Sequence, residues 1–68
     1  MSADFTVYRD GSISLMRPVS PAAMNWIADN LPDLESWQWM GGAIAIEWRY
    51  VDAIIDGAII DGLIVEEA

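Results

Sequence analysis

Glycine and proline punctuate the chain so often that no regular element in it can run long. Asp10-Gly11, Pro18 to Pro21, Pro32, Gly41-Gly42 and Gly62 each mark a place where the backbone turns or a helix stops. The apolar runs between these breaks are short and interrupted by Asp or Gly, so none spans a membrane. Short hairpin strands and helices of about three turns are what such spacing permits.

The segments then read in order. Phe5 to Arg9 alternates and is rich in strand formers, and Ser12 to Arg17 alternates again, with Ile13 and Leu15 on one face. The Asp10-Gly11 pair between them suits a two-residue turn whose central residues both take positive φ, so residues 5–17 are expected to form a β-hairpin. Ser20 stands where an N-cap belongs, and Pro21 occupies the first helical position, where a missing amide costs nothing. A helix follows from Ala22 to about Leu31, stopped near Asn30 by Pro32. Ala23, Met24, Ile27 and Leu31 share its apolar face, Asn25 and Asp29 lie opposite, and Trp26 falls at the edge of the stripe.

Ser36 to Met40 reads as a strand with Trp37 and Trp39 on one side, Gly41-Gly42 as a second turn, and Ala43 to Trp48 as a strand with Ile44, Ile46 and Trp48 facing one way. Arg49 to Asp61 is helical by pattern. Val51, Ile54, Ile55 and Ala58 form one arc, Asp52 and Asp56 lie on the other, and Gly62 takes the C′ position. Leu63 to Glu66 closes the chain as a short strand. The order β-β-α-β-β-α-β predicts an α+β two-layer sandwich, a mainly antiparallel sheet with two helices on one face, in a single domain over residues 1–68.

At 68 residues the core is thin, and small domains of this size often lean on disulfides, metals or oligomerisation. Cysteine and histidine are both absent, which removes disulfides, thiolate–imidazole metal sites and the commonest general base. The chain is nevertheless 54% apolar with four Trp and four Met, too apolar for a disordered acidic tail. Trp37, Trp39 and Trp48 are expected in or near the core.

Eleven Asp and Glu face only three cations, Arg9, Arg17 and Arg49, and there is no lysine, giving a formal charge of −8. Such a field repels phosphates and anionic membranes and attracts basic protein surfaces, so neither direct nucleic acid binding nor membrane binding is expected. Acidity also serves plain solubility. Met1-Ser2-Ala3-Asp4 is unlike a signal peptide, and the default expectation is a cytoplasmic location.

Catalytic, metal and cofactor sites find no support in the residues. With eleven acids some close pair is inevitable, so carboxylate spacing alone marks no glycosidase-type pair. Asp29 to Glu35 lacks calcium-loop spacing, with Leu34 where the sharp-turn glycine belongs. Gly41-Gly42 lacks the following Lys-Ser/Thr of a phosphate loop. The acids serve better as a surface: Asp29 on the first helix, Asp33 and Glu35 beyond its end, and Asp52 and Asp56 on the second helix, with Arg49 placed to pair with Asp52. If both helices cover one sheet face, these carboxylates share a side of the molecule; the alternative is a solvated helix face. Trp26, at the edge of its helix's apolar stripe, and Ile60, on the polar side of the second helix, complete the candidate partner-binding set, since aromatic anchors dominate interfaces.

Gly11 to Ile27, Arg49-Tyr-Val-Asp-Ala-Ile-Ile-Asp-Gly57 and Asp61-Gly-Leu63 resemble a family of small uncharacterised proteins of proteobacteria and their phages or mobile elements. In size, acidity and setting the chain also resembles acidic anti-CRISPR inhibitors, which bind Cascade-type complexes in place of target DNA. That resemblance implies an inhibitor whose carboxylates mimic nucleic acid and occupy the basic nucleic-acid-binding groove of a protein complex. The competing expectation is a structural or assembly module that self-associates through Ile60, Trp26 and the terminal strand, so that either a monomer or a small homo-oligomer is expected.

Overall fold

In a computed structural model describing residues 2–68, two glycine turns set up the sheet, each in its own way. Strand β1 (Phe5–Asp10) pairs with β2 (Ile13–Pro18), so the turn is Gly11-Ser12 and not Asp10-Gly11. Only Gly11 has positive φ there, as in a II′ turn with glycine first. Strands β3 (Trp39–Met40) and β4 (Ala43–Glu47) are joined through Gly41 and Gly42, both at positive φ, the conformation that the first hairpin had been expected to use.

Helix α1 (Pro21–Asn30) starts as its sequence dictates. The Ser20 hydroxyl accepts from the Ala23 amide at 3.1 Å, and Pro21 opens the first turn. Helix α2 (Trp48–Ile60) ends in a Schellman motif: Leu63 N–H donates to Ala58 and Gly62 N–H to Ile59, with Gly62 at φ 90°. Strand β5 (Val65–Glu67) follows. The fold is α+β, with two helices and a five-stranded mixed sheet in the order β3-β4-β2-β1-β5. Three pairs are antiparallel, while β5 runs parallel to β1, reached from β4 by the crossover through α2. Both edge strands are very short, which limits edge-to-edge pairing with other chains.

Strand register decides which residues meet the helices. Val7 on β1 lies opposite Met16 on β2, and Met16 and Ser14 lie opposite Ile44 and Ile46 on β4; with Phe5 they form one face, and it is buried. Ala23, Trp26 and Ile27 of α1 and Val51, Ile55 and Ala58 of α2 pack into the same cluster. Phe5, Val7, Met16, Ile44 and Val51 are essentially sealed from solvent, each contributing about 1.5–3 kcal/mol of burial. Ile13 and Leu15 share a face as expected, but it is the opposite one, away from the helices.

Several expectations from the sequence are corrected. Ser36–Gln38 forms a 3-10 turn, leaving only Trp39–Met40 as strand, because Glu35 N–H donates to the Gln38 side chain and Gln38 N–H to the Glu35 carbonyl. Trp37 therefore swings out, 72% exposed, while Trp39 stays half-buried. Trp48 begins α2 instead of ending β4 and is 59% exposed, its amide donating to the Ser12 carbonyl. Met24 is exposed and Trp26 takes its place in the core, because the buried arc of α1 is centred on Ala23, Trp26 and Ile27. Trp26 packs edge-on against Phe5 with centroids 5.9 Å apart, and its indole N–H donates to Asp61 at 2.7 Å.

Candidate functional site

The acidic residues divide into two groups, and the geometry of α2 is the cause. At about 100° per residue, Gly57 and Asp61 lie on one flank of α2 and Asp52 and Asp56 on the other. Trp26 of α1 lies against Gly57 and bonds to Asp61, so that flank faces α1. Asp52 and Asp56 therefore face away from α1, toward β1 and β5.

On that side Arg9 is the hub. Its side chain is on the helix face of β1, in register with Ser14, and it bonds to Asp52 at 2.7 Å and to Glu67 of β5. Glu67, and after it Asp52, hold the guanidinium charged more firmly than an ordinary arginine. The expected Arg49–Asp52 pair is absent among the described residues. Arg49 turns back to Glu47 at 3.3 Å, while Asp52 is taken by a strand residue that sequence spacing could not bring near. Asp56 is exposed one turn further along α2. Ile60 is 82% exposed, and Ile59 beside it is also open.

The second group lies around the loop after α1. Asp29 is exposed near the helix end, and Asp33 and Glu35 are exposed in the loop itself. Asp33 and Glu47 line a cavity of about 510 Å³ whose walls include Leu31, Leu34, Trp37, Ile46, Tyr50 and Ile54. Asn30–Leu34 and Tyr50–Ile54 meet at this cavity while Trp26 meets Gly57 and Asp61, so the two helices run antiparallel.

Two carboxylates have structural work. Asp4 accepts from the Ser20 hydroxyl at 2.7 Å and from the Ile64 amide at 2.9 Å, joining the start of β1, the cap of α1 and the approach to β5. The Ile64 amide, then the Ser20 hydroxyl, hold the Asp4 carboxyl below its ordinary pKa. Asp61 is engaged by Trp26 as described above.

No protein-family model, curated protein or solved structure matches the chain. Among the described residues no three acids gather in a way that could hold a metal, and no helix is long and apolar enough to cross a membrane.

Sequence reasoning missed two surfaces. One is the cavity, whose Trp37 and Tyr50 come from segments thirteen residues apart in the chain, brought together by the loop's departure from a strand. The other is the open face of the sheet, where Tyr8, Ile13 and Met40 are exposed beside half-buried Leu15 and Ala45, and which adjoins the cavity at Ile13 and Ala45. The signal was present: β2 carries apolar residues at both alternations, Ile13 and Leu15 on one side and Met16 on the other.

Proposed function

We propose that the protein is a non-catalytic inhibitor that binds the basic nucleic-acid groove of a protein complex, its carboxylates standing in for phosphates. The observation that carries this reading is a charge of −8 on an ordered scaffold in which all three arginines are already engaged. Arg9 and Arg49 lie in ion pairs with the protein's own acids, and Arg17 donates to the Gly41 carbonyl at 2.8 Å. Duplex DNA carries a charge every ~1.7 Å of axis, and a basic groove built for it responds to any dense anionic surface. The anionic surface comes in two patches: Asp56 beside the Arg9-paired Asp52 on the flank of α2 away from α1, and Asp29, Asp33 and Glu35 around the loop after α1.

Binding to a purified CRISPR Cascade-type effector, or another basic nucleic-acid-handling complex, is expected to compete with target DNA and to weaken steeply as salt rises. Charge reversal at Asp56 should weaken it more than reversal at Asp10, at the hairpin turn. Binding that ignores salt and leaves DNA binding intact would refute the mimic. Asp4 is unsuitable as a control, because its carboxylate holds the fold together.

A second reading is a self-associating assembly module, favoured by the apolar open sheet face around Tyr8, Ile13 and Met40. Sedimentation velocity across concentration separates the two: a dimer that Ile13→Lys disperses supports assembly, and a monomer at all concentrations removes it.

A further inference from the structure

The cavity beside the loop after α1 joins ligand-sized volume, apolar lining and exposed aromatic side chains. Its volume, about 510 Å³, falls in the range typical of ligand sites, roughly 300–1,000 Å³. Leu31, Leu34, Ile46 and Ile54 line it, while the two aromatic side chains on it, Trp37 and Tyr50, are both largely exposed. Exposed aromatics beside an apolar recess are the anchors from which interfaces draw most of their energy. Each side-chain amide on its wall has one atom tied within the fold: Asn30 Nδ2 donates to the Trp26 carbonyl, and Gln38 Oε1 accepts from the Glu35 amide. The charged groups on its wall are two carboxylates, Asp33 and Glu47. Among the described residues only Arg49 pairs with either, at 3.3 Å to Glu47, with both side chains more than half exposed.

We propose that this cavity receives an apolar side chain from a basic segment of a protein partner, with Asp33 and Glu47 meeting the lysines or arginines that flank it. For the charge of the partner this rests on the basic-surface reading above; the cavity adds the anchor that a uniform phosphate mimic would not need. Charge complementarity selects the occupant. An anionic or phosphate-bearing ligand would enter against the field of a −8 chain, whereas a cation next to an apolar side chain gains at both ends. Tyr50 and Trp37 would then close over the apolar group, and the carboxylates would fix the register.

The test uses the intact protein, ¹⁵N-labelled, titrated with three peptides of about a dozen residues. One alternates paired leucines and lysines, one replaces its leucines by serine, and one replaces its lysines by glutamine. The leucine–lysine peptide is expected to give saturable shifts at the Trp37 indole N–H and at the Tyr50 and Ile54 amides. The serine peptide should bind there about tenfold more weakly or worse. Trp37→Ala, at an exposed position, should keep the melting temperature while weakening the leucine–lysine peptide by a similar factor. Glu47→Gln should weaken it mainly at low salt. If both lysine peptides bind equally and shift Asp52 and Asp56 instead, the cavity is not the anchor site, although the basic-partner reading stands. If the leucine–glutamine peptide binds the cavity as tightly as the leucine–lysine one, the charge pairing at the cavity is wrong and this proposal falls, while the basic-surface reading is decided separately by salt dependence and DNA competition. No saturable shift at the cavity with any peptide overturns the proposal outright.

Discussion

Trp26 offers the sharpest test of how the molecule is held together, since its position on α1 could serve an interface or a core. In the structure it is 9% exposed, packs edge-on against Phe5, lies over Gly57 and donates to Asp61. Trp26→Phe keeps an aromatic ring but removes the indole N–H and the part of the ring that reaches α2. A hydrogen bond to a charged acceptor contributes about 1.5–3 kcal/mol, and the exposed carboxylate of Asp61 places this one at the low end. Adding the lost ring contact with α2, the expected loss is about 2 kcal/mol. A domain of 68 residues has roughly 3–10 kcal/mol in all, so the loss is a large share. Urea unfolding followed by far-ultraviolet circular dichroism should show the midpoint fall with little change in slope. Asp61→Ala should cost less, and in the Trp26→Phe background it should cost almost nothing, because the two groups act through one bond. A Trp26→Phe variant within about 0.5 kcal/mol of the parent would mean that Trp26 behaves as a surface residue, refuting its place in the core.

Other expectations follow from the same contacts. Gly57→Ala should stabilise by up to about 1 kcal/mol, since a Cβ there meets Trp26 at an ordinary 3.5 Å and the helix gains propensity; a lower melting temperature would show that Trp26 needs the space. Gly42→Ala should cost about 1–2 kcal/mol in the same melting assay, because φ there is +81°, whereas the nearby Arg17 guanidinium can swing aside. Asp4 has a folded pKa below its ordinary value of 3.8, so its contribution is full above that value and is lost as pH falls below it. Asp4→Asn should therefore be less stable than the parent at neutral pH, with the gap in unfolding midpoint closing in acid. Arg9→Gln should lower the melting temperature only slightly, and less in high salt, because both its pairs are exposed. The same variant should bind a basic partner more tightly at low salt, having released Asp52 and Glu67.

Local chemistry made much of this fold legible. Ser20-Pro21, Gly41-Gly42 and Gly62 each act within a few residues of themselves, and each did what its side chain or its freedom at positive φ dictates. The buried arc of α2 was legible for the same reason: Val51, Ile55 and Ala58 repeat at helical spacing with acids opposite. Trp37 and Trp48 escaped because alternation cannot distinguish a strand from a tight turn or a helix start, and there the hydrogen bonds of Glu35, Gln38 and Ser12 decide. Trp26 escaped because its burial depends on a glycine thirty-one residues later in the chain. For the acids, composition gave the total but not the partition. The Arg9–Asp52 contact joins residues forty-three apart, and the flank that Asp52 occupies is set by where α1 packs.

Strand β5 has a dynamic consequence that the static contacts conceal. It closes a loop of about sixty residues onto β1 through three residue pairs, aided by the Ile64 amide on Asp4 and by Glu67 on Arg9. Few ladder bonds and much exposed surface make it the segment whose amides should exchange with solvent first. When it lifts, β1 becomes the edge of the sheet, presenting a free row of donors and acceptors over Phe5 to Val7. The closed protein shields that row, and a strand from another chain could take it in register only during such an opening.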